Sequence, residues 1–456
     1  MWRLAVFAVL ILGVAATVAH AQGGGRPQRP FRGVFGGGGT RDPQAPRTTV
    51  QLILNGSGTY DEHLAPGSAG GGPSSDPSIA PAGSIGEFST EMRIERVRTG
   101  NLFGLDMNGF VSRYGSDPVQ VRSGGGLVAR AQHAYGRGDR SSISATQRLH
   151  YDPVYTGDGI SLVRPPTGFE GIVNVDPTGL YFRESFTSDS TVGLSTEMSP
   201  RDRVNAGYGY TLRDYLDDAG GDSKHHNVTV SYDRQLSRSY SVQTNYQWAK
   251  ADVDLNARFA LPLSEHIITV GPQYVKRLSP TRRITVGGGI GGTYVTERNQ
   301  LTGAETATWA PSGQAHAAID ITRDWSLDGN YARSVTINQG LTRQSLLLDS
   351  ATISLHGLPH DRVELSSVFG FSVQARDVGE PIVGNSDYRS TNFSTTGRIA
   401  LSRIFALELT YGYYDYDFGG ADLLEGVPQR FSRNVGTVGL TMWLPLYGRT
   451  VGAPRQ

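Results

Sequence analysis

Apolar and polar residues alternate singly along much of this chain. In "NVTVSYDRQLSRSYSVQTNYQW", Asn227 to Trp248, one parity carries Val228, Val230 and Tyr232, with Thr229, Ser231 and Asp233 between them. After Gln235-Leu-Ser-Arg-Ser the alternation resumes, with Tyr240, Val242, Thr244, Tyr246 and Trp248 on one parity and Ser241, Gln243, Asn245 and Gln247 on the other. A period of two places successive side chains on opposite faces of a strand. The segment therefore predicts a β-hairpin with one apolar and one polar face. The same alternation runs through 204–212, 363–373 and 405–413, where Phe405, Leu407, Leu409, Tyr411 and Tyr413 oppose Ala406, Glu408, Thr410 and Gly412.

The hairpin recurs from Thr48 onward. Tight polar turns are expected near Gly100, Asp139, Arg201, Ser237, Pro280, Arg323, His360 and Arg403, the later ones spaced by about 40 residues. A solenoid or propeller of that period would carry a fixed internal consensus, and none is present. The other connections are longer and rich in Gly, Pro, Ser and Asp, at about 57–83, 115–124, 152–183, 214–225, 250–263, 295–307, 336–346, 375–388 and 418–431. Paired strands around each tight turn, a first strand Thr49–Gly56 and a last strand Asn434–Leu444 predict about 18 strands, within a range of 16–18. Long connections would lie on one side, with short turns and both termini on the other. Strands of ~10 residues suit a tilted crossing of a bilayer. Trp248, Trp325, Tyr411, Tyr413 and Trp443 are expected in aromatic girdles at the two interfaces.

The first residues, "MWRLAVFAVLILGVAATVAHAQ", carry Arg3, an apolar run from Leu4 to Val18 and the small-x-small site Ala19-His20-Ala21. This is the pattern of a secretory signal peptide over 1–21, with cleavage expected after Ala21. Residues 22–47 are rich in Gly, Pro and Arg and are expected to form a disordered periplasmic tail. The chain has no cysteine, which removes disulfides, thiolate metal sites and cysteine nucleophiles together. Its formal net charge is zero, so nothing marks a nucleic-acid footprint.

With these features the chain resembles the Gram-negative outer-membrane β-barrel class, in the porin size range, over about 48–444. The last strand, "NVGTVGLTMWLPL", looks like the closing strand that barrel-assembly machinery reads, although the chain continues to Gln456. The resemblance implies an all-β fold, a transmembrane antiparallel up-and-down barrel, followed by a C-terminal periplasmic tail over 445–456. It also implies a bacterial outer-membrane location, contact with outer-membrane lipid and a water-filled lumen for passive diffusion of small hydrophilic solutes. Export of a polysaccharide or other envelope component, or a plugged structural barrel, is the alternative. A homo-oligomer is compatible with this architecture, and parity alone does not locate its contact.

Candidate chemistry is sparse. Gly287-x-Gly289-x-x-Gly292 matches a dinucleotide fingerprint, but it sits inside an alternating strand and not at a strand-to-helix turn. A small-residue lumen wall or a barrel bend is the better reading, and no cofactor is expected. His225-His226 are read as an exposed loop tip and not as a metal site, since neighbours on a strand point apart. His150, His316, His356, Asp106, Asp320, Asp328, Glu364 and Glu408 share the inward parity, where a hydrolase site would have to assemble. Scattered wall lining explains them equally well, so no catalytic residue and no enzyme activity are assigned. The inward charges mix acids with arginines and are slightly acidic in sum. Glu87, Glu91, Arg93, Arg130, Arg148, Arg203, Asp328, Glu364, Arg398 and Glu408 are the expected pore-lining residues. Residues 152–183 are the expected constriction loop, because their apolar and aromatic content could pack inside.

Overall fold

The computed structural model describes residues 47–450 apart from 63–82, 99, 115–119, 136–139, 153–183, 217–221, 255–259, 280–281, 299–304, 323, 338–344, 378–388 and 418–429. The signal segment, the basic tail through Pro46 and the expected constriction loop lie outside the described residues, save Asp152.

Eighteen strands make up the fold. They are β1 Arg47–Asp61, β2 Gly83–Arg98, β3 Asn101–Tyr114, β4 Gln120–Tyr135, β5 Ser141–Asp152, β6 Ser185–Ser199, β7 Asp202–Tyr215, β8 Asp222–Gln235 and β9 Tyr240–Asp254, then β10 Ala260–Ser279, β11 Arg282–Arg298, β12 Glu305–Asp320, β13 Trp325–Ile337, β14 Ser345–His360, β15 Val363–Asp377, β16 Arg389–Ala400, β17 Phe405–Asp417 and β18 Arg430–Thr450. Each pairs antiparallel with its chain neighbours, and β1 also pairs with β18, from Arg47 opposite Thr450 to Asp61 opposite Val435. The sheet is thus a closed barrel, which leaves no edge strand with unpaired backbone groups. Eight short turns lie on one side with the beginning of β1 and the end of β18, as the alternation predicts.

The short turns share a local chemistry. In Leu236-Ser-Arg-Ser, Ser237 Oγ accepts the backbone N–H of Ser239 and of Tyr240. In Leu401-Ser-Arg-Ile, Ser402 Oγ accepts those of Ile404 and Phe405. The hydroxyl satisfies donors that the ladder has released at the turn. Gly100, between β2 and β3, has a φ of 71°, a conformation that a side chain disfavours.

Strands run longer than the apolar alternation suggests. The first extends to Asp61 instead of Gly56, and the last begins at Arg430 and ends at Thr450 instead of covering Asn434–Leu444. Residues 445–450 are therefore strand and not tail. The ladder continues beyond the apolar band because backbone pairing needs no greasy side chain once the strand has left it. For the same reason His225 and His226 lie in β8 and not at a loop tip. His225 is opposite Thr211 and Ala251 on one face. His226 is on the other, where its Nδ1 hydrogen-bonds the Tyr208 hydroxyl at 2.9 Å.

One parity forms the convex surface. Phe88, Val192, Val230, Ile268, Ile290, Trp309, Ile353, Phe369 and Val438 are all exposed there, Ile290 at 82%. The opposite parity is polar, and its buried members include Ser112, Thr293 and Ser390. An aqueous globule would not leave so much apolar surface uncovered on one side. The convex row Tyr208, Val228, Trp248, His266, Tyr294 and Trp309 runs across β7 to β12 by direct pairing. Trp325 and the Arg333–Asp349 ion pair bracket the convex face of β13. Eight residues at ~3.3 Å each, tilted about 40°, place them about 20 Å apart, close to the height of a lipid-facing band. Trp443 departs from the girdle expectation. It is opposite Ile53 on the inner parity, and its indole N–H donates to Gln51 at 3.3 Å.

Glycines resolve the fingerprint. Pro272 in β10 and Pro311 in β12 cannot donate to a ladder. The register sets Pro311 opposite Gly292 in β11, and Pro272 falls between the pairs Val270–Ile290 and Gln273–Gly287. A Cβ on Gly271 would lie 1.7 Å from the Gly288 carbonyl oxygen, and one on Gly291 1.7 Å from that of Ile268. The backbones of β10 and β11 therefore approach too closely for side chains at these positions, and the run is a close-packed stretch of barrel wall.

Candidate pore wall

Strand pairing places all ten expected lining residues on the inner parity and builds them into rows. On β2, Arg93 is bonded to Glu91, with Arg93 Nη2 2.8 Å from Glu91 Oε2. Arg93 is also directly opposite Asp106 of β3. Asp106 in turn accepts Arg130 Nη2 of β4 at 2.7 Å. Arg148 of β5 is 3.9 Å from Asp189 of β6, which also accepts the Thr211 hydroxyl at 2.8 Å. Arg203 of β7 is 2.5 Å from Glu197 and opposite Asp233. Across β15 to β17, Glu364, Arg398 and Glu408 are in one direct row, with Arg398 Nε donating to Glu408 at 2.7 Å. His356 Nε2 lies 3.4 Å from Glu364. Glu87 accepts the Ser112 hydroxyl at 2.9 Å. Asp328 is opposite Ala318 and Ser354, with no ion pair among the described residues.

These contacts are in reach of water, where an ion pair contributes about 0–1 kcal/mol to stability. Their main effect is on the field inside the barrel. In three of the pairs the guanidinium projects further than its acid: 47% against 22% exposure for Arg130 and Asp106, 58% against 28% for Arg148 and Asp189, and 54% against 40% for Arg203 and Glu197. The count of charges makes the wall slightly acidic, but over β3 to β7 the charge that water meets first is basic.

The rows give no catalytic constellation. His150, His316 and His356 are inward, but they lie on β5, β12 and β14, each within its own stretch of wall. Among the described residues, no group of three or more His, Asp or Glu could hold a metal ion. Several inward charges were not singled out from the sequence. Arg47 donates to Glu95 at 2.7 Å, and Arg433 bonds to Asp61. Both arginines lie where the strands outrun the apolar pattern. Glu265 lies on β10 in "SEHIITV", where two adjacent isoleucines hide the alternation.

No family model matches the chain, and no curated protein matches it. Solved structures of similar shape include Acinetobacter baumannii OccAB2, with a TM-score of 0.46 and 9% identity, covering 88% of this chain and 98% of that one. Pseudomonas aeruginosa OccK11 (OpdR) gives a TM-score of 0.43 at 10% identity over 88% and 96%. The FrpB iron transporter from Neisseria meningitidis gives 0.44 at 8% over 87% and 81%. What this barrel does has to follow from its own wall.

Proposed function

We infer that the barrel spans the outer membrane and passes small hydrophilic solutes passively through a water-filled lumen. One observation carries this reading. Eighteen strands close into a ring whose convex face is apolar and whose inner face carries rows of charged and polar side chains. Barrels of 16–18 strands leave an aqueous channel when nothing fills them. Opposed guanidinium and carboxylate groups on the wall would orient polar solutes and exclude apolar ones. No bond is made or broken, and no residue is given a catalytic role. The segment 1–21 would export the chain, barrel-assembly machinery would insert it, and 152–183 would narrow the lumen.

Planar-bilayer recording of the purified full-length barrel tests the proposal. Large, steady, voltage-independent conductance is the expected result. A barrel that is folded and inserted but silent would overturn it and leave the export or structural reading.

A further inference from the structure

The short-turn end of the barrel is rimmed with arginine. Each of its eight turns carries an arginine in or beside the tip. Arg98, Arg201, Arg238, Arg282, Arg362 and Arg403 are all exposed, and none makes an ion pair among the described residues. The acids described at these turns are Asp202, Asp324 and Asp361. Asp202 is already engaged, since it accepts the Tyr232 hydroxyl at 2.6 Å and lies 3.9 Å from Arg234. At the other end the balance reverses, and acids outnumber bases in the long connections. The zero net charge of the chain therefore conceals a basic end and an acidic end. Exposed apolar residues accompany the arginines. Leu236 and Leu401 are each exposed two residues from Arg238 and Arg403, and Ile321 is exposed at its own turn. Bulk water does not favour such leucines, whereas an apolar side chain beside a cation suits a membrane–water interface. Tyr240, exposed and packed on Tyr274 with ring centroids 4.8 Å apart, marks that interface on the convex face. Arg238 is two residues from Tyr240, so at most about 7 Å of chain separates them. The headgroup layer is about 5–8 Å deep on each side of the hydrocarbon. The turn arginines therefore stand at the depth of lipid phosphates.

We propose that this rim binds the phosphate groups of anionic phospholipids in the leaflet at the short-turn end. The proposal rests on the reading of the convex face as lipid-facing. A guanidinium presents paired N–H donors that match two phosphate oxygens, so each turn can hold a headgroup bidentately. The turns recur around a closed ring, so the contacts form a collar and no cavity has to admit the ligand. A headgroup of net negative charge is preferred, because the ammonium of a zwitterionic one repels the arginine. Each basic residue close to an anionic surface is worth about fivefold in affinity. A cell-wall polymer lies beyond the headgroups, out of reach of tips whose leucines sit in the interface.

Tryptophan quenching in vesicles tests the collar on the purified full-length barrel. Trp248→Phe with Trp309→Phe leaves Trp325 as the convex reporter at the short-turn end. The vesicles are phosphatidylcholine, with a fraction of chain-brominated phosphatidylglycerol or chain-brominated phosphatidylcholine. Brominated phosphatidylglycerol should quench Trp325 at a mole fraction about fivefold lower than brominated phosphatidylcholine requires. Arg282 and Arg362 lie on the turns either side of the one before Trp325. Arg282→Gln with Arg362→Gln should bring the two quenching curves together, and 1 M salt should do the same by screening. Heat-modifiable migration in electrophoresis confirms that each variant is folded. Equal quenching by the two lipids before the arginines are changed, or a preference that survives the double variant, would overturn the collar. Retention on purified peptidoglycan that the double variant loses would then assign the rim to the cell wall. A folded barrel whose Trp325 neither lipid quenches overturns the lipid-facing reading instead.

Discussion

Arg433 of β18 grips both carboxylate oxygens of Asp61 of β1, with Nε 3.0 Å and 2.9 Å from them. The pair ties the last strand to the first across the seam that closes the barrel. Asp61 is fully buried, and the Arg433 side chain is 21% exposed. The attraction of a buried pair roughly offsets the cost of desolvating its charges, whereas removing one partner strips a buried charge of a counter-charge bonded to it. Arg433→Ala should therefore destabilise the barrel by about 3–5 kcal/mol. The double change Arg433→Met with Asp61→Leu should recover most of the loss. Urea unfolding in lipid vesicles, followed by tryptophan fluorescence, measures both. If the double variant is as unstable as the single one, the seam depends on something other than the ion pair.

The assignment of faces has a sharper test at the middle of β11. Ile290 is the most exposed of the large apolar residues on the convex surface. Gln314 of β12 is close by on the opposite parity, opposite Gly289. Arginine at a lipid-facing position near the bilayer midplane costs ~2–4 kcal/mol, whereas lumen positions tolerate charge. Ile290→Arg should lose that much stability in vesicles, and Gln314→Arg less than about 1 kcal/mol. A soluble fold with its apolar face buried would give the same order of stabilities, so lipid quenchers make the distinction: a probe at position 290 is quenched in the barrel and shielded from water-soluble reagents and lipid quenchers alike in the soluble fold.

Much of this architecture was legible in the sequence. The single alternation around Val228 and Tyr246 gave the two faces, and the eight tight polar turns with a first and a last strand gave the strand count. The parity of Glu364, Arg398 and Glu408 gave their common face, and the register of β15 to β17 set them in one row. What was not legible follows from two physical facts. Backbone ladders continue past the lipid band, so Asp61, His225 and Arg433 lie in strands that no apolar alternation announces. Parity gives direction but not height or exposure. It could not show that the Trp443 indole reaches Gln51, that arginines project further than their acids, or that Oε1 of Glu265 is buried without a donor.

The projecting guanidiniums carry a prediction for selectivity. Arg130 and Arg148 reach further into water than Asp106 and Asp189. Neutralising either one exposes a carboxylate whose charge it had masked. Arg130→Gln and Arg148→Gln should each shift the reversal potential in a potassium chloride gradient toward cation preference. A water-exposed charge is worth at most ~1 kcal/mol, so each shift in permeability ratio should stay within about fivefold. Unchanged ratios in both variants would mean that these side chains lie off the conduction path.

Close approach between β10 and β11 separates two neighbouring glycines by mechanism. On Gly291 a Cβ would meet the Ile268 backbone, with the carbonyl oxygen at 1.7 Å, and a paired strand cannot move aside cheaply. On Gly292 the obstacle is the Trp309 ring, with its nearest atom at 2.1 Å. Trp309 is 68% exposed on the convex face and can swing into the surrounding solvent or lipid. Overpacking costs typically 1–3 kcal/mol where the surroundings cannot yield. Gly291→Ala should therefore destabilise the barrel by at least about 2 kcal/mol, and Gly292→Ala by less than about 1. Midpoints of urea unfolding compare the two directly. Equal losses would mean that the strands relax apart, and the pairing of Pro272 and Pro311 with the glycine run would then need another explanation.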